Sequence, residues 1–176
     1  MREKDVIQLI RHDRHDLMNQ IQLLQGYATM GKVAHVQQKL DEMIIHYQNE
    51  RKLLNLDAPN FVVWLLRSSI YNHIRITYVI ADHLPQHLHT IDHQLVNRCE
   101  QMIGVIKRHG KQTESYEVKL ILKHVGKTLE MKWYIDGPLT GMSRFKSMMT
   151  NDSKYQWIID QKADEQLMCK LRIPYE

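Results

Sequence analysis

Apolar residues at Ile7, Ile10, Leu17, Ile21, Leu24 and Ala28 advance in alternating steps of three and four, with Arg14 in the one polar slot. Steps of that size return to the same side of a 3.6-residue helix, so this segment is committed to a helix with a packing seam. Gly31, in ATMGKVA, interrupts the pattern. It resumes at Val33, Val36, Leu40, Met43, Tyr47 and Leu54, broken by Glu50, until Asn55, Asp57 and Pro59 end it. Two helices of more than about 20 residues joined by a short glycine turn fold back as an antiparallel hairpin with arms about 30 Å long.

On the first helix, Leu9, Leu23, Leu24, Leu17, Ile7, Ile10, Ile21, Met18 and Tyr27 spread over an arc of roughly 220°. One partner helix needs a stripe of only about 100°. A second copy of the hairpin is the simplest cover for the surplus, and the expectation is a homodimer built around a four-helix bundle.

Beyond Pro59 the pattern changes. FVVWLLRSSIYNHI reads as a third helix, IRITYVIAD (74–82) as a strand, and HQLVNRCEQMIGVIKRH (93–109) as a helix. SYEVKLILKH and KTLEMKWYID alternate with period two around Val125-Gly126, the pattern of a β-hairpin. SRFKSMMTN reads as a short helix, and YQWIID and EQLMCKLRI as two more strands. The fold class is therefore α+β, with a helical hairpin over residues 1–58 and, over 59–176, an antiparallel-rich sheet carrying helices on one face.

Charge excludes one class of partner. Residues 1–57 balance 8 Lys/Arg against 8 Asp/Glu, and the net +4 of the 176-residue chain is spread over the remainder without a basic cluster. No nucleic-acid footprint is expected. No segment has the apolar length of a membrane span, and MREKDVIQLI mixes both charges, so no membrane association is expected and a cytoplasmic location is. Cys99 and Cys169 are too isolated for a disulfide framework or a metal site. DHLPQHLHTIDH (82–93) concentrates His83, His87, His89 and His93, but Pro85 and the lack of an HExxH spacing favour a solvated connection over a metal site.

Opposite the apolar arc of the first helix lie Gln8, Arg11, His12, His15, Asn19, Gln22 and Gly26. Histidine is a poor helix former and an uncommon choice for solvation alone. His15 has Arg11 four residues before it, Asn19 four after and Asp16 beside it. A neutral imidazole is a nucleophile, and a carboxylate that accepts a hydrogen bond from one ring nitrogen leaves the other free to attack. Arg11 or Arg14 could offset charge on transferring phosphoryl oxygens, and Asn19 could donate a hydrogen bond to them. The grouping suits phosphoryl transfer by positioning and electrostatics. A passive dimerisation module would use the same bundle without that chemistry.

RHDLMNQIQLLQG (14–26), followed by DEMI (41–44) and RKLLNLDAP (51–59), closely resembles the sporulation initiation phosphotransferase B family. The HDxxN core, His15 to Asn19, is also found in sensor kinases of the citrate and fumarate type. The resemblance implies a parallel dimer of hairpins and a C-terminal α/β sandwich like a degenerate histidine-kinase ATP-binding domain. It further implies that phosphoryl passes from the aspartyl-phosphate of one response regulator to His15, and then to the aspartate of a second regulator controlling sporulation. Asp16, Asn19 and Arg14 would serve that reaction. Arg11, His12, Met18, Gln22 and Gly26 would meet the receiver domains, and Mg²⁺ would come in the regulator's acidic pocket. His12 matches an upstream position outside the HDxxN pattern, since Leu17 stands four residues after Asp13.

An ATP-dependent histidine kinase of this type needs an Asn-bearing helix, a D-x-G-x-G turn and a further glycine loop beside the phosphates. Asn97 is present, but Met102, Ile103 and Gly104 stand where a downstream Asn-Ala is expected. IDGPLTG (135–141) retains Asp136 with Pro138 in the turn, and SRFKSMMTNDSKYQW has no glycine. Without close backbone approach to phosphate, no nucleotide cofactor and no autophosphorylation are expected.

Overall fold

The computed structural model describes residues 3–68, 73–82, 84, 87–111, 113–140, 157–163 and 166–175. The chain divides into two compact units, Met1–Arg51 and Lys52–Glu176.

The first unit is a helical hairpin. Helix α1 spans Glu3–Thr29 and α2 spans Val33–Leu54, its last turn falling in the second unit. At the turn, the Lys32 N–H donates to the Tyr27 carbonyl at 2.9 Å and the Gly31 N–H to that of Ala28 at 3.0 Å. This is the paired closure of a helix end that requires a left-handed residue, and Gly31 supplies it with φ of 68°. Val6, Leu9, Leu17, Leu24 and Tyr27 on α1, with Val36, Met43 and Tyr47 on α2, are half-buried. Ile7, Ile10, Met18, Ile21 and Leu23 stay exposed, as do Leu40, Ile44 and Ile45. One chain thus covers only part of the arc that the sequence makes apolar.

The second unit is a five-stranded sheet with helices on one face. In chain order it contains α3 (Pro59–Leu66), β1 (Ile74–Ile80), a 3-10 turn (Leu88–Ile91), α4 (Asp92–His109), β2 (Tyr116–Val125), β3 (Thr128–Asp136), β4 (Trp157–Ala163) and β5 (Gln166–Pro174). The strand order is β1-β2-β3-β5-β4, with β1 and β2 parallel across the α4 connection and the other pairs antiparallel. Leu53, Phe61, Leu65, Leu88, Leu95, Cys99, Met102 and Ile106 form one side of the core. Leu120, Leu122, Leu129, Met131, Trp133, Cys169, Leu171 and Ile173, the inward alternates of the central strands, form the other. Burial pushes both thiols up, that of Cys169 to about 12, and leaves them inert.

Two sequence expectations change. The third helix stops at Leu66 rather than running to Ile74, which already opens β1. The histidine-rich connection is anchored, because Leu88 and Ile91 are buried in the core. Its periodic signal was too short to separate from a polar loop. The expected helix at 143–151 lies outside the described residues.

Two buried carboxylates hold this unit. Asp92 accepts from the Asn60 N–H at 3.0 Å, the Asn60 amide at 2.8 Å and the Phe61 N–H at 2.8 Å. It caps the first turn of α3 from another helix, where no local side chain does so. On the opposite face of the sheet, Glu130 is only 2% exposed, bonded by Arg172 Nε at 2.9 Å and faced by the Lys123 and Lys132 ammonium groups at 3.4 and 3.5 Å. Burial raises its affinity for a proton, but Arg172, Lys123 and Lys132 together outweigh that and hold the carboxyl below its ordinary range.

Asp92→Ala strips two backbone donors of α3 and should cost about 1–3 kcal/mol in urea unfolding. Asp92→Asn keeps one acceptor and should cost less. Equal stability of both variants and the parent would show that the cap holds nothing.

Candidate functional site

Residue 15 stands about 180° around α1 from the line of Leu17 and Leu24 that meets α2, so its ring is turned to solvent. The His15 side chain is 72% exposed. Two neighbours address the same ring nitrogen: Asn19 Nδ2 lies 3.2 Å from His15 Nδ1, and Asp16 Oδ1 lies 3.4 Å from it. They ask opposite things of that atom. With the proton on Nδ1, the ring donates to Asp16 and Nε2 carries the free lone pair; with the proton on Nε2, Nδ1 accepts from the Asn19 amide. Both contacts occupy the Nδ1 edge, and Nε2 is the edge an incoming group can reach.

Helical spacing brings other expected residues to the same stripe. Arg11, His12, Met18 and Gln22 are exposed beside His15. Gly26 is half-buried, with open space where a Cβ would stand, so a visiting backbone could come close. Arg14 is exposed too, but its place immediately before His15 sets it about 100° away, on the flank of Ile7, Ile10 and Ile21. Of the two arginines, Arg11 lies nearer the His15 edge.

A second feature was not anticipated from the sequence. Asp13, on the α2 side of α1, lies near Tyr47 and Glu50 of α2. Burial first, then the Asp13 charge, push the Glu50 carboxyl up, with His46 opposing. Burial, Asp13, Glu50 and Asp16 in turn push the Tyr47 phenol up. The signal in the sequence was Glu50 itself, the carboxylate that breaks the apolar spacing of the second helix.

In the second unit, the turn after β3 is tied to the end of α4. The Thr140 N–H and hydroxyl both donate to the His109 carbonyl, each at 2.9 Å. The Tyr116 hydroxyl donates to the Pro138 carbonyl at 2.8 Å and accepts from the Lys111 N–H at 2.7 Å. Gly137 has φ of 137°, and a Cβ there would come within 2.5 Å of the Tyr116 ring. Asp136 and Asn97 are exposed, whereas Met102 and Ile103 are buried in the core. A cavity of about 420 Å³ on the outer face of the sheet is bordered by Arg75, Lys119, Tyr134, Asp136 and Met168 and shares no residue with the His15 group. Among the described residues no group of three or more His, Cys, Asp or Glu side chains is placed to hold a metal, and no helix is long and apolar enough to cross a membrane.

A solvent-facing histidine with a carboxylate and an amide at its Nδ1 edge is carried on a helical hairpin that precedes an α+β unit. Residues 1–56 match the model of the sensor kinase SpoOB-type alpha-helical domain family. Over 56 residues the chain is 39% identical to sporulation initiation phosphotransferase B of Bacillus subtilis (strain 168), a match covering 32% of this chain and 29% of that protein. Thus the matching segment spans less than a third of the relative's length. Among solved structures, a blue-light activated histidine kinase of Erythrobacter litoralis is 13% identical, with 99% of this chain and 60% of that one covered at a TM-score of 0.47. Histidine kinase AdeS of Acinetobacter baumannii is 11% identical, with 91% and 97% covered at 0.42. At such scores neither likeness bears on function.

Replacing Glu50 by Gln should stabilise the protein at neutral pH. A carboxyl whose folded affinity for protons exceeds its unfolded one loses stability as pH rises through and above the ordinary 4.5. The stability difference between Glu50→Gln and the parent should therefore shrink as pH is lowered from about 7 to about 4. Denaturant unfolding across that range checks it, and a difference that does not change with pH would refute it.

Proposed function

We propose that this protein is a phosphorelay phosphotransferase in which His15 carries the phosphoryl group between two response-regulator receiver domains. The observation that supports this reading most is the His15 ring, 72% exposed with its Nδ1 edge addressed by Asp16 and Asn19. In the Nδ1–H tautomer the Nε2 lone pair attacks the phosphorus of the first regulator's aspartyl-phosphate. The P–O bond to the aspartate breaks and the regulator's carboxylate leaves with the electron pair. Asp16 keeps the Nδ1 proton in place and offsets the positive charge that develops on the ring. In the second step the other regulator's aspartate attacks phosphorus, the P–N bond breaks, and Nε2 recovers its lone pair. Arg11 and Asn19 can contact the transferring oxygens, and Mg²⁺ belongs on this reading to the receiver's acidic pocket. The sporulation phosphotransferase matched by residues 1–56 supports the same assignment.

The second unit serves here as a scaffold without nucleotide. Support comes from Tyr116 filling the space beside Gly137 and from Met102 and Ile103 lying in the core, where a kinase would carry polar groups toward phosphates.

The working form is a homodimer. Ile7, Ile10, Met18 and Ile21 on α1 and Leu40, Ile44 and Ile45 on α2 are 43–60% exposed in one chain. So many exposed aliphatic side chains on two adjacent helices call for a partner, and a second hairpin completes a four-helix bundle. Sedimentation at micromolar concentration should give twice 21.0 kDa. A species of 21.0 kDa alone would remove the dimer.

Incubation with labelled ATP alone should leave the protein unlabelled. Incubation with a labelled phospho-receiver domain should place acid-labile, base-stable phosphate on it. His15→Ala should abolish that label, and Asp16→Asn should slow its appearance by about 10²-fold. Label from ATP alone would make the protein a kinase, and persistence of the label in His15→Ala would overturn the assignment.

A further inference from the structure

Asp16 does not address His15 alone. Its Oδ1 lies 3.4 Å from His15 Nδ1 and its Oδ2 lies 3.7 Å from His12 Nδ1, one turn earlier on the same helix. One carboxylate is thus shared by two imidazoles, and all three side chains are about half or more exposed. We propose that His12 is a positioning residue for His15, acting through Asp16 so that the protonation of His12 selects which nitrogen of the His15 ring carries the proton. This rests on the reading of His15 as the phosphoryl carrier and adds to it a proton-linked control.

The physical reason lies in the competition at His15 Nδ1. When His12 is neutral, the Asp16 carboxylate is available to accept from His15 Nδ1–H, and Nε2 is left as the free nucleophile. When His12 is an imidazolium, it draws the same carboxylate by charge. The Asn19 amide, 3.2 Å from Nδ1, is then the remaining partner at that edge. Because the amide donates, it favours the tautomer with the proton on Nε2, which blocks attack from that nitrogen. Other charges near this stretch are Arg11, Asp13 and Arg14 of α1 and, from α2, His46, Tyr47 and Glu50. Asp13 and Glu50 meet on the α2 side of α1, whereas His12, Asp16 and Asn19 surround the solvent edge, so Asp16 is the carboxylate that both rings share.

The test is nitrogen-15 NMR of the full-length protein labelled at histidine, reading the Nδ1–H to Nε2–H ratio of neutral His15 between about pH 5.5 and 8. The ratio should fall about two- to fivefold as His12 protonates, the range an exposed ion pair supports. In His12→Gln it should stay at the high-pH value throughout, and in His12→Lys at the low-pH value. In Asp16→Asn it should cease to depend on His12. A His15 ratio with the same pH dependence in His12→Gln as in the parent overturns the proposal, and so does a dependence on His12 that survives Asp16→Asn. Since the ratio is read without any regulator, its failure leaves the transfer reading intact, while loss of that reading is seen separately in the phosphate label on His15.

Discussion

A single α-helix has to satisfy two demands around its circumference, and the rest of the first unit depends on how they are separated. One side of α1 meets α2 through Leu9, Leu17 and Leu24, and about half a turn away His15 projects into solvent with Asp16 and Asn19 at its Nδ1 edge. The helix supplies stiffness at no cost in the site's own contacts. Residues three and four apart are neighbours on its surface, so His12, Asp16 and Asn19 reach His15 without any loop or pocket. A site of this kind needs its partner to exclude water, and it can only be as precise as the helix that carries it.

The same geometry explains the exposed aliphatic residues between the two sides. Ile7, Ile10 and Ile21 lie on neither the α2 side nor the His15 stripe, and Arg14 sits among them. An apolar flank interrupted by one arginine is what a bundle with a second hairpin would cover, with the arginine's aliphatic stem lying against its neighbours. On the proposed reading, the chemistry and the assembly use adjacent flanks of one helix.

The second unit is stabilised differently. Its core follows strand alternation and helix spacing closely, but its two buried carboxylates tie together parts distant in sequence: Asp92 joins α4 to α3, and Glu130 joins β2, β3 and β5 through Lys123, Lys132 and Arg172. A buried carboxyl persists only when other groups compensate for lost water: Asp92 meets three N–H donors, and Glu130 has one hydrogen bond from Arg172 with two ammonium groups facing it. Tyr116 adds a third tie, between the loops at Lys111 and Pro138.

Periodicity made much of this readable from the chain. The two helices of the hairpin, all five strands, α4 and the chemical character of the His15 stripe follow from residue spacing, because both helix and strand fix which side chains share a face. Arg14 shows what the residue pattern left open: the sequence offered Arg11 and Arg14 alike for phosphoryl oxygens, and the helix sets Arg11 nearer the His15 edge and Arg14 on the apolar flank. The end of α3 at Leu66, the burial of Leu88 and Ile91, the capping by Asp92 and the meeting of Asp13 with Glu50 were decided by tertiary structure alone. Each depends on which distant residue supplies a donor, a charge or a covering surface. Local spacing determines the face a side chain occupies, whereas only the folded chain determines what stands opposite it.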